Sequence, residues 1–275
     1  MSRIDFTEIS HRYERDSTVQ KAAAEVLLAL LDLGQGEDVL DLGCGTGHLA
    51  RRISELTSGR VLGVDPSPGM IAEASARHGS ARVAFEVGGA EDLDAQGSFD
   101  AIFCNSALQW FGNPARALAA CRRALRPGGR MAVQAAARRE YCPQFLQGIA
   151  EVARDPATAS TFARFRPPWT FLETAEEYAD IFRAAGFTVP FARIDSARSR
   201  HAPEQALAIF DSGAAAGYLN PDCYGHALPG GYVEAFRRIM ARTFEALAER
   251  DGHLELEFRR LYLLAVIPGP GEAAT

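Results

Sequence analysis

The stretch "VLDLGCGTGHLARRI", residues 39–53, joins a short apolar run to the start of a helical pattern through Gly43, Gly45 and Gly47. Glycine at alternate positions of a strand-to-helix turn marks a backbone that something approaches too closely for Cβ atoms. Such crevices form at the carboxyl end of a first parallel strand. The pattern D-x-G-x-G-x-G is not the G-x-x-x-x-G-K-[ST] loop, because no Lys or Ser/Thr follows at the required place, and its later glycines are closer than in a dinucleotide fingerprint. Asp65, eighteen residues past Gly47, closes a second apolar run in "VLGVDPS". An acid there can accept hydrogen bonds from both hydroxyls of a ribose.

Outward from this loop, β-rich runs ("DVLDLG", "RVLGVDPS", "VAFEVGG", "FDAIFCNS", "GRMAVQAA") alternate with helical patterns near 47–57, 68–78 and 114–125. Ser67-Pro68 reads as an N-cap followed by Pro at the first helical position. Strand-helix alternation with nearly continuous apolar strands predicts a parallel sheet covered by helices on both faces. After residue 136 the rhythm breaks. Residues 137–172 are rich in Arg, Pro and aromatics. A helix then runs from a Thr174 cap to Gly186, followed by the strand-like "TVPFARIDSAR", a helical stretch over roughly 203–249, and a final strand in "HLELEFRRLYLLAVI". The expected organisation is an N-terminal helical lid (1–37), a core (38–136), a cap insertion (137–172), a core helix and strand (173–199), a helical cap (200–252), a final strand (253–268) and a disordered tail (269–275).

The 275 residues are 47% hydrophobic and 23% charged, with a net charge of -6 and a pI near 5.6. That balance argues against a broad basic surface of the kind that tracks nucleic acid. No apolar run has the length of a membrane helix, and "MSRIDFTEISHRYERDS" is too charged for a secretory signal, so a cytoplasmic location is expected, with no membrane partner. The five cysteines are scattered without metal-ligand spacing. Reduced thiols and no metal are the expectation.

The chain resembles the class I S-adenosylmethionine-dependent methyltransferases. "VLDLGCGTG" matches their first motif, "GVDPSPGMIAEA" the acidic ribose-binding motif, "FDAIFCNSALQWF" the fourth strand and "ALRPGGRMAV" the loop into the fifth. The resemblance implies an α/β, Rossmann-like sheet of seven strands, the last antiparallel, with S-adenosyl-L-methionine as cofactor. It places the methionine moiety on Asp41 and the Gly43–Gly47 backbone, with Cys44 inside that loop, the ribose on Asp65 beside Pro66, and the adenine against Met70. Asn105 ends the fourth strand at the same site. Relatives commonly carry an acid where this chain has Gly89, and Ala90 or Glu91 is the expected substitute. His48 faces the cofactor's surroundings without chemistry.

"NSALQWFGNPARALAACRRALRPGG" is similar to the corresponding stretch of trans-aconitate methyltransferases and of the malonyl-acyl-carrier-protein methyltransferases of biotin synthesis, and juvenile hormone acid methyltransferases share its Gln-Trp pair. "RYERDSTVQKAAAEVLLALL" resembles the biotin group, with Tyr13 as a lid over the cofactor and Gln20 near the acceptor. The resemblance implies methylation of a carboxylate, on a small or carrier-bound acid. A carboxylate needs no base to remove a proton, and no obvious base follows the fourth strand. Trp110 is expected to shape the acceptor pocket. Arg138, Arg139, Arg164 and Arg166 stand among aromatics in the first insertion, where a guanidinium fork matches a carboxylate. Arg166 is the one expected to orient the acid. Arg259 and Arg260 point to opposite faces of the last strand, so at most one looks into the site. Tyr218 and His201 are the groups of the second insertion most able to touch an acceptor, and Gly213–Gly217 let two elements or a substrate approach. Two other readings stand beside this one: a carbon or nitrogen methyltransferase of a small natural product, with His201, Glu140 or Tyr218 as base, and a non-catalytic cofactor-binding protein.

Overall fold

The computed structural model describes residues 18–269, and the side chains from residue 23 onward. Seven strands, β1 (Val39–Leu42), β2 (Val61–Asp65), β3 (Val83–Val87), β4 (Phe99–Asn105), β5 (Leu125–Ala136), β6 (Thr188–His201) and β7 (Leu254–Val266), form one sheet in the order β3-β2-β1-β4-β5-β7-β6. The pairs β1–β2, β1–β4, β2–β3 and β4–β5 are parallel. β7 runs antiparallel to both β5 and β6.

The core helices are α1 (Thr18–Leu31), α2 (His48–Leu56), α3 (Pro68–His78), α4 (Pro114–Ala124) and α7 (Ala175–Ala184). Their boundaries follow from local chemistry. The Ser67 hydroxyl accepts from Met70 N at 3.4 Å ahead of Pro68, and Thr174 forms a reciprocal capping box with Glu177. Each cap satisfies N–H groups that the first helical turn cannot pair internally. Leu27, Leu31 and Ile53 of α1 and α2 bury one sheet face around Phe103. Leu118, Cys121, Tyr178 and Phe182 of α4 and α7 bury the other around Ile102 and Val133. Of the segment 1–37 expected to form a lid, residues 1–17, with Tyr13, lie outside the described residues, as does the tail from residue 270, while α1 covers a face of the sheet.

The insertions supply α5 (Pro143–Arg154), α6 (Ala159–Phe162), α8 (Pro203–Asp211), α9 (Ala215–Tyr218) and α10 (Tyr232–Leu247). The helical pattern read over 203–249 is therefore broken into separate pieces, where Ser212-Gly213, Asn220-Pro221 and Pro229-Gly230 interrupt it. Phe145, Phe210, Phe236, Met240 and Phe244 make a core of their own, with Leu254 and Leu256 of β7 inside it. Because β7 opposes both neighbours, β6 runs with β5, and both insertions leave from the carboxyl edge of the sheet. Their ends are pinned: Arg138 N donates to Leu172 O at 3.0 Å, and His201 pairs with Leu254 in the β6–β7 ladder.

Candidate functional site

A cavity of about 780 Å³ opens at the carboxyl edge of the sheet, between the glycine loop and the insertions. On the loop side its wall includes Gly43, Gly45, Asp65, Pro66 and Met70, then Ala90, Glu91, Asn105 and Trp110. On the insertion side it includes Arg166. Ten of the residues singled out in the sequence thus share one space. Asp41, Cys44 and Gly47 do not line it. Asp41 lies beneath the loop, 1% exposed. Cys44 is buried with its Sγ turned to the Gly45 carbonyl and to β2, where it would lie 2.9 Å from a Cβ on Gly63. Gly47 caps α2 at φ 79°, and a Cβ there would come within 2.6 Å of the Phe85 ring, so its glycine answers to packing against β3. Gly43 combines φ 78° with a Cβ position 2.4 Å from the Ala107 methyl. Gln20 falls in α1, and its side chain lies outside the described residues.

Four of the N–H groups of the loop are spent inside the protein. Gly43 N and Cys44 N both donate to Val64 O, Gly47 N donates to Cys44 O, and Gly45 N donates to Asp65 Oδ2 at 3.0 Å. This is the opposite of an anion-binding nest, which turns free N–H groups toward its ligand. What remains around the loop is acceptor-rich. Asp65 holds Ser67 N on Oδ1 at 2.9 Å, and each oxygen has lone pairs left. Among the described residues, Asp41 Oδ2 and Asn105 Oδ1 are buried without a hydrogen-bond partner. Burial, then the neighbouring Asp65 charge, push the Asp41 carboxyl up to about 8, against a hydrogen bond from Ala50 at the start of α2. Such a wall suits a ligand that is cationic and carries several hydroxyl or amino donors. Glu91 lines the cavity, but its Oε1 is engaged by Asn113 N at 3.1 Å.

β4 and β5 meet the insertions in a short turn. Ser106 takes φ 59°, its Oγ donating to Gln134 Oε1 at 2.8 Å, and Gln109 Nε2 donates to Ser106 O at 2.9 Å. Thr170 N donates to Gln109 O, and Trp110 meets Trp169 edge-on with centroids 5.4 Å apart. Trp169 lies in a notch made by Gly217, where a Cβ would come 2.0 Å from the indole. The insertion-side wall continues through Tyr141, Phe145, Phe171, Ile209 and Phe258, with the Tyr141 and Phe171 rings stacked at 5.1 Å.

Of the four arginines expected here, only Arg166 lines the cavity. Its side chain stands at the exposed rim without an ion pair among the described residues. Arg139 reaches Glu173 instead, at 3.9 Å. Against the expectation from strand alternation, Arg259 and Arg260 both line the wall. The β6–β7 ribbon runs on past the end of β5, and the cavity closes around that free stretch. Arg259 is ion-paired with Glu140, whereas Arg260 is only 6% exposed, its guanidinium 5.3 Å from the Phe258 ring. Burial lowers the Arg260 pKa, with Tyr262 acting to raise it. Tyr218 and His201 are not in the wall. Tyr218 is buried among aromatics, and His201 Nε2 bonds Ser199 Oγ at 2.7 Å. Gln134 is a polar wall residue that strand patterning passed over. The signal was there in Gln134, a lone amide in the otherwise apolar "MAVQAA".

The family described as "Methyltransferase domain" matches residues 39–129. Trans-aconitate 2-methyltransferase of Methylobacterium nodulans is 32% identical over 245 residues, 87% of this chain and 90% of that protein. Malonyl-[acyl-carrier protein] O-methyltransferase of Hahella chejuensis is 37% identical over 128 residues, so the match spans only 46% of that relative's length. Among solved structures, the YcgJ protein of Bacillus subtilis superposes with a TM-score of 0.60 at 17% identity, covering 91% of this chain and all of that one. The 1,6-didemethyltoxoflavin-N1-methyltransferase of Burkholderia thailandensis, with S-adenosylhomocysteine bound, superposes at 0.52 with 20% identity, covering 96% and 85%. These two likenesses speak to the fold.

Proposed function

The chain belongs to the S-adenosylmethionine-dependent methyltransferases, and from that premise we propose that it methylates the carboxylate of an organic acid, with Asp65 holding the ribose and the Gly43 and Gly45 backbone beside the methionine moiety. S-adenosylmethionine supplies a methyl group on a sulfonium, which departs from sulfur as an in-line nucleophile attacks. The acceptor-rich wall around Asp65, Asn105 and the spent loop N–H groups fits that cation with its amino and hydroxyl donors. Met70 and Ala90 offer the adenine an apolar surface.

The observation that carries the choice of acceptor is the chemistry of the insertion-side wall. Among the described residues no histidine lines it. Burial, with Tyr218 close by, holds the Tyr141 phenol well above its usual range, so it is a poor base near neutrality. Glu140 is paired with Arg259, and Asp222 sits at the exposed rim. A carboxylate arrives already ionised and asks none of these groups for proton removal. The protein's task is then alignment and exclusion of water. Trp110 and Trp169 close the wall over the acceptor, and Arg166 draws an anion through the rim. The relatives named for trans-aconitate and malonyl-carrier methylation support a carboxylate as the reacting group.

The test is methyl transfer to a panel of acids, with the product exposed to mild alkali. An ester loses its methyl group, whereas an ether, amine or carbon-methyl product keeps it and would overturn the reading. Trp110→Ala and Arg166→Gln are expected to lower turnover at least tenfold while cofactor affinity stays within about twofold. Gly45→Val should abolish cofactor binding.

A further inference from the structure

Building on that carboxyl-methylating reading, we infer that the acceptor is a monocarboxylic acid with an aromatic or extended apolar body, and that its carboxylate settles toward Arg260. The insertion-side wall is built almost entirely of rings and aliphatic side chains: Trp110, Tyr141, Phe145, Trp169, Phe171 and Ile209. Such a wall gains from every apolar atom it takes out of water and favours flat partners through offset and edge-on contacts.

The positive charges of the cavity are few and unequal. Arg116 is held by Asp92 at 3.0 Å and by the Glu91 carbonyl, and Arg259 is held by Glu140. Arg166 stands at the rim, in water. Arg260 alone among them is a buried wall residue on the sheet itself, its guanidinium engaged by the Phe258 ring and by Tyr262. Ala136 pairs with Arg260 in the β5–β7 ladder, and two residues back Gln134 pairs with Asn105 across β4–β5. Arg260 therefore stands next to the row where the two halves of the cavity meet, which is where the reacting carboxylate has to lie. A di- or tricarboxylate would have to bury its further charges against rings, and an unmatched buried charge is strongly disfavoured. A monoacid presents one charge to one buried guanidinium and its body to the rings.

The experiment is methyl transfer from labelled S-adenosylmethionine by the full chain to 2-naphthylacetate, decanoate, butyrate, trans-aconitate and malonyl-carrier protein, with 2-naphthol and 2-naphthylethylamine as the hydroxyl and amine arms, each product being treated with alkali. The expected result is an alkali-labile ester from naphthylacetate and decanoate, with kcat/KM at least tenfold above trans-aconitate and the malonyl carrier. Arg260→Met should raise KM for those two acids at least tenfold with cofactor Kd within twofold. Should that buried substitution fail to fold, Ala214→Leu, in the half-buried insertion wall, should lower kcat/KM for naphthylacetate at least fivefold more than for butyrate. Preference for trans-aconitate or the malonyl carrier, or no methylation of any acid by cofactor-bound protein, overturns this inference. Alkali-stable methylation of an amine or hydroxyl compound overturns the ester reading on which it rests.

Discussion

Asp41 is held beneath the glycine loop with one oxygen unpartnered among the described residues and its carboxyl pushed up to about 8. An unfolded chain releases that proton near pH 3.9. Between these two values the folded state holds a proton that the unfolded state has lost, so the group's contribution to stability is fully present below the lower value and is lost as pH rises through the upper one. The slope approaches about 1.4 kcal/mol per pH unit for one proton. Thermal unfolding of the cofactor-free protein between pH 5 and 8.5 should therefore show a steeper fall in stability than in Asp41→Asn, and parallel slopes would remove Asp41 as the cause. At this scale the sequence was informative about the loop and less so about what each residue does there. Gly43, Gly45 and Asp65 reach the cavity as their spacing suggested. Gly47 follows the same alternation, yet its partner is Phe85 on β3, thirty-eight residues further along the chain. Arg166 and Arg260 differ in burial for a reason local pattern does not carry: one ends on a rim, the other on a strand that outruns its neighbour.

Short elements set the insertion-side wall of the cavity. α9 contributes Gly217, whose missing side chain makes room for Trp169, and Trp169 in turn meets Trp110 on the turn after β4. Gly217→Val would drive the indole out of its notch, because a ring fixed at both edges cannot yield as a flexible chain end does. The expected outcome is at least a tenfold loss of kcat/KM for the acceptor with cofactor affinity within about twofold, measured by steady-state kinetics and calorimetry. Equal loss of both would mean the notch serves folding alone. Where an element carries its own start signal it was readable from the sequence: α3 begins at Pro68 behind Ser67, and α7 behind the Thr174 box. The stretch read as helical over 203–249 kept its apolar periodicity while its Gly and Pro interruptions broke it into α8, α9 and α10, since the aromatic core they share rewards packing over continuity. The packing of Tyr218 into that core, away from the cavity, depends on partners at Phe162, Phe165 and Phe210 that lie far apart along the chain.

At the scale of the whole molecule, two hydrophobic cores are joined through one strand. Leu254 and Leu256 of β7 belong to the core of the insertions, while Leu261, Leu263 and Ala265 belong to the core under α4 and α7. Neither can loosen without disturbing the other's strand, so calorimetry of the full chain should give a single unfolding transition, and two resolved transitions would contradict the coupling. The parallel βα core was legible because each βα unit repeats one rule, whereas the enclosure of the cavity arises only from where the two excursions leave and return. Those excursions begin and end at hydrogen-bonded neighbours, Arg138 with Leu172 and His201 with Leu254. Lengthening such a closed detour raises its entropic cost only logarithmically. The scaffold thus behaves like a socket: the stretches between those two pairs of pins can change in length and sequence, redrawing what is admitted, without moving the sheet or the glycine loop.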